Sequence, residues 1–165
     1  MRLTVRRIRP DERETLQQIR LAALKDSPDA YGRTFEEESA YPDAMWDERT
    51  TSGASSEERA TFFAEIDGEP VGMAGYGRDE DGTYALYAMW VRPDVRRSGA
   101  ARALVQAVLD RAGRDGARTI KLSVTEGNDA AFRLYESCGF TDTGIRESLR
   151  DGSPLSVIVM ERALT

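Results

Sequence analysis

An arginine-rich segment, VRPDVRRSGAA at residues 91–101, places positive charge next to small side chains. An apolar run precedes it and an amphipathic run follows, which predicts a strand, a tight loop and a helix. Gly99 allows the backbone to turn tightly or to approach a ligand closely. The first turn of the helix exposes N–H groups at the positive end of its dipole, and such groups bind phosphate. The pattern therefore predicts a phosphate site, although a basic surface loop before a helix has the same local spacing.

Several other kinds of site are excluded by the residues that the chain lacks. No Gly-Lys-Ser or Gly-Lys-Thr occurs, so the loop is not a P-loop, and it does not read G-x-G-x-x-G. The chain has no histidine, which excludes Ser-His-Asp, Cys-His and His-based zinc sites. Its single cysteine, Cys138, lies on an apolar helix stripe and is expected to pack as a small hydrophobe. Acid–base chemistry is left to Tyr, Glu, Asp, Lys or water.

Two motifs at matching distance resemble one family. Residues 96–101, RRSGAA, fit the Arg/Gln-x-x-Gly-x-Gly/Ala signature of the GNAT acetyltransferase superfamily. Residues 128–140, NDAAFRLYESCGF, resemble its Asn-x-x-Ala-x-x-Leu-Tyr…Gly-Phe segment. Together they span about residues 84–140, whereas the N-terminal half resembles the family only in its order of elements.

The resemblance implies acetyl-coenzyme A as cosubstrate, with no metal. Its pyrophosphate is expected on backbone N–H groups at the helix start, and its pantetheine arm between two splayed strands, bonded to backbone like an added strand. The implied cofactor-binding residues are Met89, Val91, Arg96, Arg97, Ser98, Gly99, Ala100, Ala101 and Asn128.

The implied reaction is attack by a neutral amine on the thioester carbonyl, with an oxyanion stabilised by a backbone N–H near Met89 or Trp90. Tyr135 matches the family's general acid, which protonates the leaving thiolate. Asn128 and Tyr135 are seven residues apart and therefore lie on one helix face. Two alternatives stay open: Tyr135 as a core tyrosine with a hydrogen-bonded hydroxyl, and Asn128 as a plain helix N-cap.

The general base is where the sequence departs from many relatives, which carry a glutamate on the strand matching residues 83–91. That strand has no acidic residue here. Glu36 and Glu37, with Glu38 beside them, follow Phe35 in the region that usually shapes the acceptor site, and Trp90 is an acceptor-side or packing candidate. Acidic residues also favour the first turn of any helix. Glu65 and a water chain are further options.

Length, composition and charge limit the number of domains and the kinds of partner that we expect. The chain has 165 residues, 40% of them hydrophobic and 32% charged, which suits a single domain over 1–165. The net charge of −6 argues against nucleic acid and tilts toward cationic acceptors. No apolar run approaches the roughly 20 residues of a membrane span, and no signal peptide is evident, so we expect a cytoplasmic protein without membrane contact. The resemblance also allows a homodimer through the late strands.

The predicted element order is a strand, two or three helices, three meandering strands, a helix, a strand, a helix and two strands. This order predicts an α/β domain around a mixed sheet. It is also the order of the GNAT fold, so the resemblance implies a central sheet of about six to seven strands flanked by about four helices. Capping boxes are predicted at Asp11 with Glu14 and at Thr34 with Glu37. Residues 51–59, rich in Ser, Gly and Glu, predict a mobile loop.

The sequence thus predicts an N-acetyltransferase that moves acetyl from acetyl-coenzyme A to a primary amine of a small molecule or a protein N-terminus. The alternatives are a non-catalytic acyl-coenzyme A binding module of the same fold and a structural domain with neither property. The acceptor is not specified by the residues.

Overall fold

The computed structural model describes residues 1–164 of the chain. This part contains seven strands and five α-helices. The strands are β1 (Leu3–Arg7), β2 (Arg59–Ile66), β3 (Glu69–Arg78), β4 (Tyr84–Val91), β5 (Thr119–Thr125), β6 (Thr141–Ser148) and β7 (Ser156–Ala163). The helices are α1 (Arg13–Asp26), α2 (Phe35–Ser39), α3 (Asp43–Ser55), α4 (Ala100–Arg114) and α5 (Asp129–Ser137). The predicted α/β class with a mixed sheet is confirmed.

The strands form one sheet in the order β1-β2-β3-β4-β5-β7-β6. Every neighbouring pair is antiparallel except β4 and β5, which are parallel and joined by the predicted crossover through α4. The two parallel strands share a single registered pair, Ala85 with Lys121. Their carboxyl-terminal halves are therefore not paired in the ladder, and a gap opens at the centre of the sheet.

Two apolar clusters cover the faces of the sheet. On one face α4 buries its predicted stripe, including Leu104, Val105 and Val108, against β2, β3 and β4. On the other face α1 packs Leu16 and Ile19 with residues of the sheet. The sheet therefore holds α4 and α1 at fixed positions on either side of the gap between β4 and β5.

The predicted loop at residues 51–59 was wrong, because α3 continues to Ser55. Gly53 is buried in this helix, and a Cβ at that position would lie 2.6 Å from Oγ1 of Thr61. The small residue allows α3 to approach β2 closely, so it serves packing and not flexibility. A composition rich in small polar residues did not distinguish these two roles.

Of the two predicted capping boxes, one is confirmed. Thr34 Oγ1 accepts from the Glu37 N–H at 3.2 Å, and the Glu37 carboxylate accepts from the Thr34 N–H at 3.2 Å. The box at Asp11 was wrong, because α1 begins at Arg13 and is preceded by Glu12, which makes no capping bond. The carboxylate of Glu12 instead accepts from Arg6 at 2.7 and 2.8 Å.

No helix within residues 1–164 combines the length and the apolar character needed to cross a membrane.

Candidate active site

The loop before α4 takes a conformation that aims its amides away from the rest of the chain. Arg97 has a φ of 75° and Gly99 a φ of 92°, both in the left-handed region. Only glycine occupies that region without strain, which explains Gly99, whereas Arg97 is held there by the surrounding loop. Gly99 forms the N-cap of α4 and supplies no side-chain acceptor.

Two amides of this loop are satisfied internally. The Ser98 N–H donates to the Val95 carbonyl at 3.2 Å, and the Ala100 N–H donates to the Ser98 hydroxyl at 3.3 Å. Four amides have no acceptor within residues 1–164, and they belong to Arg97, Gly99, Ala101 and Arg102. This cluster of free donors at the positive end of a 15-residue helix is suited to bind an anion.

The arginines of the loop have different roles. Arg96 donates from Nε to the Val91 carbonyl at 2.9 Å and from Nη2 to Oδ2 of Asp26 at 2.8 Å. The same carboxylate oxygen accepts from Nε1 of Trp90 at 3.0 Å, and this bond and that of Arg96 help to lower the pKa of Asp26. Trp90 is thereby buried as a packing residue. Arg97 is exposed and makes no ion pair in the described structure.

A β-bulge reshapes β4 where it leaves β5. Met73 pairs with Trp90 and Gly75 pairs with Tyr87, so β4 carries an extra residue between those positions. Ala88 in that interval has a φ of 55°. Bulges of this kind redirect backbone groups next to functional sites. The Met89 carbonyl is already engaged here, because it accepts from the Tyr31 hydroxyl at 2.8 Å.

Tyr135 lies on the inner face of α5 and is 7% exposed. Burial raises the pKa of its phenol, with smaller contributions from nearby Tyr31 and Cys138. No side-chain hydrogen bond engages its hydroxyl within residues 1–164, so the alternative of a hydrogen-bonded core tyrosine gains no support there. A protonated, unpartnered phenol close to Tyr31 is available to donate a proton.

Asn128 and Cys138 occupy the two ends of α5. The Asn128 side chain accepts from the Ala131 N–H at 3.3 Å, which is the predicted N-cap. Cys138 is half-buried and packs against the larger apolar cluster, as expected for a small hydrophobe. Neither contact assigns a chemical role to these residues.

A cavity of about 490 Å³ lies beside the bulge, between the N-terminal helices and β3 and β4. It is lined by residues of α1, α2 and α3 and by Met73, Tyr87 and Ala88 from the sheet. Of the three successive glutamates in α2, only Glu38 lines it; Glu36 and Glu37 are exposed, and Glu37 is used in the capping box. The sequence did not predict this cavity, because its walls come from six separate segments, which include Arg59 and Thr61 of β2.

Glu38 is fully buried and bound by two arginines. Arg20 donates to its two oxygens at 3.1 and 3.0 Å, and Arg49 donates at 2.7 Å. Burial acts to raise the pKa of Glu38, but the bonds from Arg20 and Arg49 outweigh it and leave that pKa below its usual value. A carboxylate held in this way is a weak proton acceptor.

The model of the Acetyltransferase (GNAT) family matches residues 19–140, which is most of the chain. The chain belongs to the GNAT acetyltransferase family. The resemblance to this family that the two motifs carry is confirmed.

Relatives by sequence are GNAT-type enzymes that match only a part of the chain. The ribosomal protein bS18 alanine N-acetyltransferase of Escherichia coli is 40% identical over 63 residues, which are 38% of this chain and 43% of that protein. An uncharacterized N-acetyltransferase of Mycobacterium tuberculosis is 36% identical over 88 residues, 53% of this chain and 56% of that protein. The chain thus spans about half the length of the curated relatives it matches.

Solved structures show the GNAT fold over the whole chain. An acetyltransferase of the GNAT family from Streptococcus pneumoniae superposes with a TM-score of 0.83 at 19% identity and covers 99% of this chain and 100% of its own. The yncA protein of Salmonella typhimurium, solved with its cofactor acetyl-CoA, gives a TM-score of 0.76 at 22% identity over 100% of this chain and 95% of its own. The predicted GNAT fold is confirmed, with five helices where about four were expected.

Proposed function

We propose that the protein transfers an acetyl group from acetyl-coenzyme A directly to a primary amine. The four free amides at the start of α4 are the observation that carries this proposal. They fit a diphosphate, because each offers a donor without competition from the protein, and the exposed Arg97 adds charge beside them. The structural relative that was solved with acetyl-CoA supports the same cosubstrate.

The chain offers a continuous path for such a ligand. Residues 97–101 would hold the diphosphate, and the unpaired carboxyl-terminal half of β4, including Met89 and Val91, would hold the pantetheine arm through backbone groups. The Met89 carbonyl is occupied by Tyr31, so other backbone groups of this segment would make the contact. Asn128 would contribute as the cap that fixes the start of α5. When bound, acetyl-coenzyme A supplies the acetyl thioester.

The residues of the chain would stabilise the charge that develops on the carbonyl oxygen and would supply the proton to the leaving thiolate. The bond between the amine nitrogen and the acetyl carbon forms as the carbon–sulfur bond breaks; nitrogen loses one proton and the thiolate gains one. Tyr135 would supply the proton to sulfur: its phenol is protonated at neutral pH, as any phenol with a pKa of about 10 or above is, and burial raises that pKa further. A backbone N–H of the β4 bulge, near Met89 or Trp90, would stabilise the oxyanion.

An acceptor amine with a low pKa needs little help from a general base to lose its proton. Glu38 is a weak base in its arginine clamp, and Glu36 and Glu37 lie outside the cavity lining. Water would therefore take the amine proton, and we propose that the acceptor is an α-amine, whose pKa is lower than that of a lysine side chain near 10.4.

Thermal unfolding with and without acetyl-coenzyme A tests the cosubstrate. At a hundred times its dissociation constant the ligand adds about 2.7 kcal/mol to the free energy of unfolding. Thiol release with a panel of amines then tests the transfer. Binding without release from any amine would favour the non-catalytic acyl-coenzyme A module, and no binding at millimolar ligand would favour a structural domain.

A further inference from the structure

We propose that the cavity beside the β4 bulge accepts an amine that also carries an anionic group, a carboxylate or a phosphate. The inference rests on the proposed function, because it names the class of acceptor for that reaction. It is opposite to the preference for cationic acceptors that the net charge of −6 predicts. The local charges, and not the sum over the chain, decide what this cavity binds.

Positive charge exceeds negative charge in the lining. The charged residues that line the cavity are Arg20, Arg33, Glu38, Glu48, Arg49 and Arg59. Glu38 takes both Arg20 and Arg49, so this buried triad keeps one net positive charge. Arg33 is balanced by Glu37 at 3.7 Å; Glu48 is exposed and contributes one negative charge, so the six lining residues together with Glu37 keep one net positive charge. An anion that enters this cavity therefore meets an uncompensated positive field.

Among the described residues, Arg59 is the arginine of the lining that makes no ion pair. It begins β2, and its Nη1 donates to the Tyr87 hydroxyl at 3.3 Å. No carboxylate lies within ion-pairing distance of its guanidinium in residues 1–164. A guanidinium has five N–H donors in a planar fork that matches a carboxylate or a phosphate. Arg59 thus has donors to spare at the mouth of the cavity.

Two buried donors in the same wall lack acceptors. Nη1 of Arg20 and Nε1 of Trp46 are both inaccessible to water and have no hydrogen-bond partner within residues 1–164. Both residues line the cavity. A buried donor without an acceptor costs about 1–3 kcal/mol, and a small shift toward a bound oxygen atom would recover part of that cost.

The cavity also exposes apolar side chains. Met45 is 39% exposed and Tyr87 is 40% exposed, and these are two of the four large hydrophobic side chains that the described residues leave open to solvent. Both line the cavity. An acceptor with an anionic group and an apolar side chain would cover them, which is the composition of a free apolar amino acid.

Tyr31 connects Arg20 of the cavity lining to the β4 bulge. The guanidinium of Arg20 lies 4.8 Å from the centre of the Tyr31 ring, and the Tyr31 hydroxyl donates to the Met89 carbonyl. The anionic group would therefore sit on the arginine side of Tyr31 while the amine faces the β4 bulge. This arrangement positions the acceptor by its charge and leaves the nitrogen free to react.

Paired acceptors test the inference by thiol release. We would compare L-phenylalanine with its carboxamide, L-leucine with its carboxamide, and phosphoethanolamine with ethanolamine. An amide lowers the pKa of the neighbouring amine and favours the neutral nucleophile, so a preference for the acid must come from binding. We expect kcat/KM to be at least about tenfold higher for an anionic member. Equal or better turnover of every neutral member would overturn the proposal.

Variants locate the contact. Arg59→Gln should raise the KM of the anionic acceptor about tenfold and leave the KM of acetyl-coenzyme A unchanged. Arg118→Gln, an exposed arginine between α4 and β5 that does not line the cavity, is the matched control and should change neither. An equal loss for anionic and neutral acceptors in Arg59→Gln would contradict a charge contact.

Direct binding separates this inference from the proposed function. Calorimetry with N-acetyl-L-phenylalanine and its amide, in the presence of coenzyme A, measures the preference without turnover. If no amine releases thiol but the acid binds more tightly than the amide, the transfer reaction fails and the anion site stands. If thiol is released and neither measurement prefers the anion, the reaction stands and the anion site fails.

Discussion

Arg96 and Asp26 are joined by a hydrogen-bonded ion pair of 2.8 Å that ties the loop before α4 to the end of α1. Trp90 of β4 donates to the same carboxylate oxygen, so Oδ2 of Asp26 links α1 to both β4 and the loop before α4. The neighbouring Arg97 has no such partner in the described structure and a left-handed backbone. Two adjacent arginines of one motif thus have different tasks: Arg96 holds the loop, and Arg97 faces solvent where the free amides lie.

This division predicts opposite effects of the same substitution. Arg97→Gln should weaken acetyl-coenzyme A binding about tenfold, or about 1.4 kcal/mol, and leave the melting temperature unchanged. Arg96→Gln should lower the free energy of unfolding by about 1 kcal/mol, because it removes a partly exposed ion pair and a bond to the Val91 carbonyl. Calorimetry and urea unfolding measure the two effects. Weaker binding in Arg96→Gln than in Arg97→Gln would contradict the assignment.

The glycine before α4 gives a second prediction with an internal control. Gly99→Glu should abolish acetyl-coenzyme A binding, because a carboxylate would stand among the free amides. Gly116→Glu makes the same change at the other end of α4, also at positive φ and in open space. Both variants should lose about 1–2 kcal/mol of stability from backbone strain.

Binding must then separate the two glycine variants. If Gly116→Glu retains the affinity of the unchanged protein and Gly99→Glu does not, the loss comes from the site and not from strain. Equal affinity in both variants would remove the loop from the diphosphate site.

The sequence predicted those parts of the fold and site that depend on neighbours along the chain. The loop from Arg96 to Ala101, the cap at Asn128 and the crossover from β4 to β5 are each encoded within a few residues, and hydrophobic periodicity positions the helix between them. The assignment of Arg96 to the ligand followed from its charge. That assignment stays a prediction. In the described structure Arg96 pairs with Asp26, which is 70 residues away, and no local sequence pattern predicts that contact.

The cavity beside the β4 bulge was not predicted from the sequence, for the same reason. Glu36, Glu37 and Glu38 are equivalent as a sequence run, and only the approach of Arg20 and Arg49 buries the last of them. Gly53 was predicted to lie in a loop because local composition does not show its close approach to Thr61 of β2. Contacts between residues from distant segments depend on the tertiary structure, so local sequence patterns do not predict them.

Tyr135→Phe tests the proton donor. The hydroxyl has no hydrogen-bond partner in residues 1–164, so we expect little change in stability. We expect kcat to fall about 100-fold and the KM of acetyl-coenzyme A to stay within about twofold, since general acid catalysis contributes on the order of 10²–10⁴. Tyr84→Phe, which loses only a weak bond of 3.4 Å to the Asp115 carbonyl, is the control. Unchanged turnover in Tyr135→Phe, with chemistry rate-limiting, would exclude the acid role.

The buried triad gives a prediction about stability. Glu38→Gln removes the buried negative charge between Arg20 and Arg49 and leaves two partly buried arginine side chains without compensation. Breaking a buried pair in this way costs about 3–5 kcal/mol. Urea unfolding at pH 7 should therefore show a loss of about 3 kcal/mol, and the exposed neighbour Glu36→Gln should show less than about 0.5 kcal/mol.

The pH dependence of that loss identifies its cause. The folded-state pKa of Glu38 lies below its ordinary value of 4.5, because the two arginines outweigh burial. A group with a lowered pKa stabilises the fold above its unfolded pKa and loses that contribution as the pH falls through the folded pKa. The difference between the unchanged protein and Glu38→Gln should be full above about pH 5 and shrink below about pH 4.5. A difference that stayed constant down to pH 3 would assign the effect to side-chain shape and not to charge.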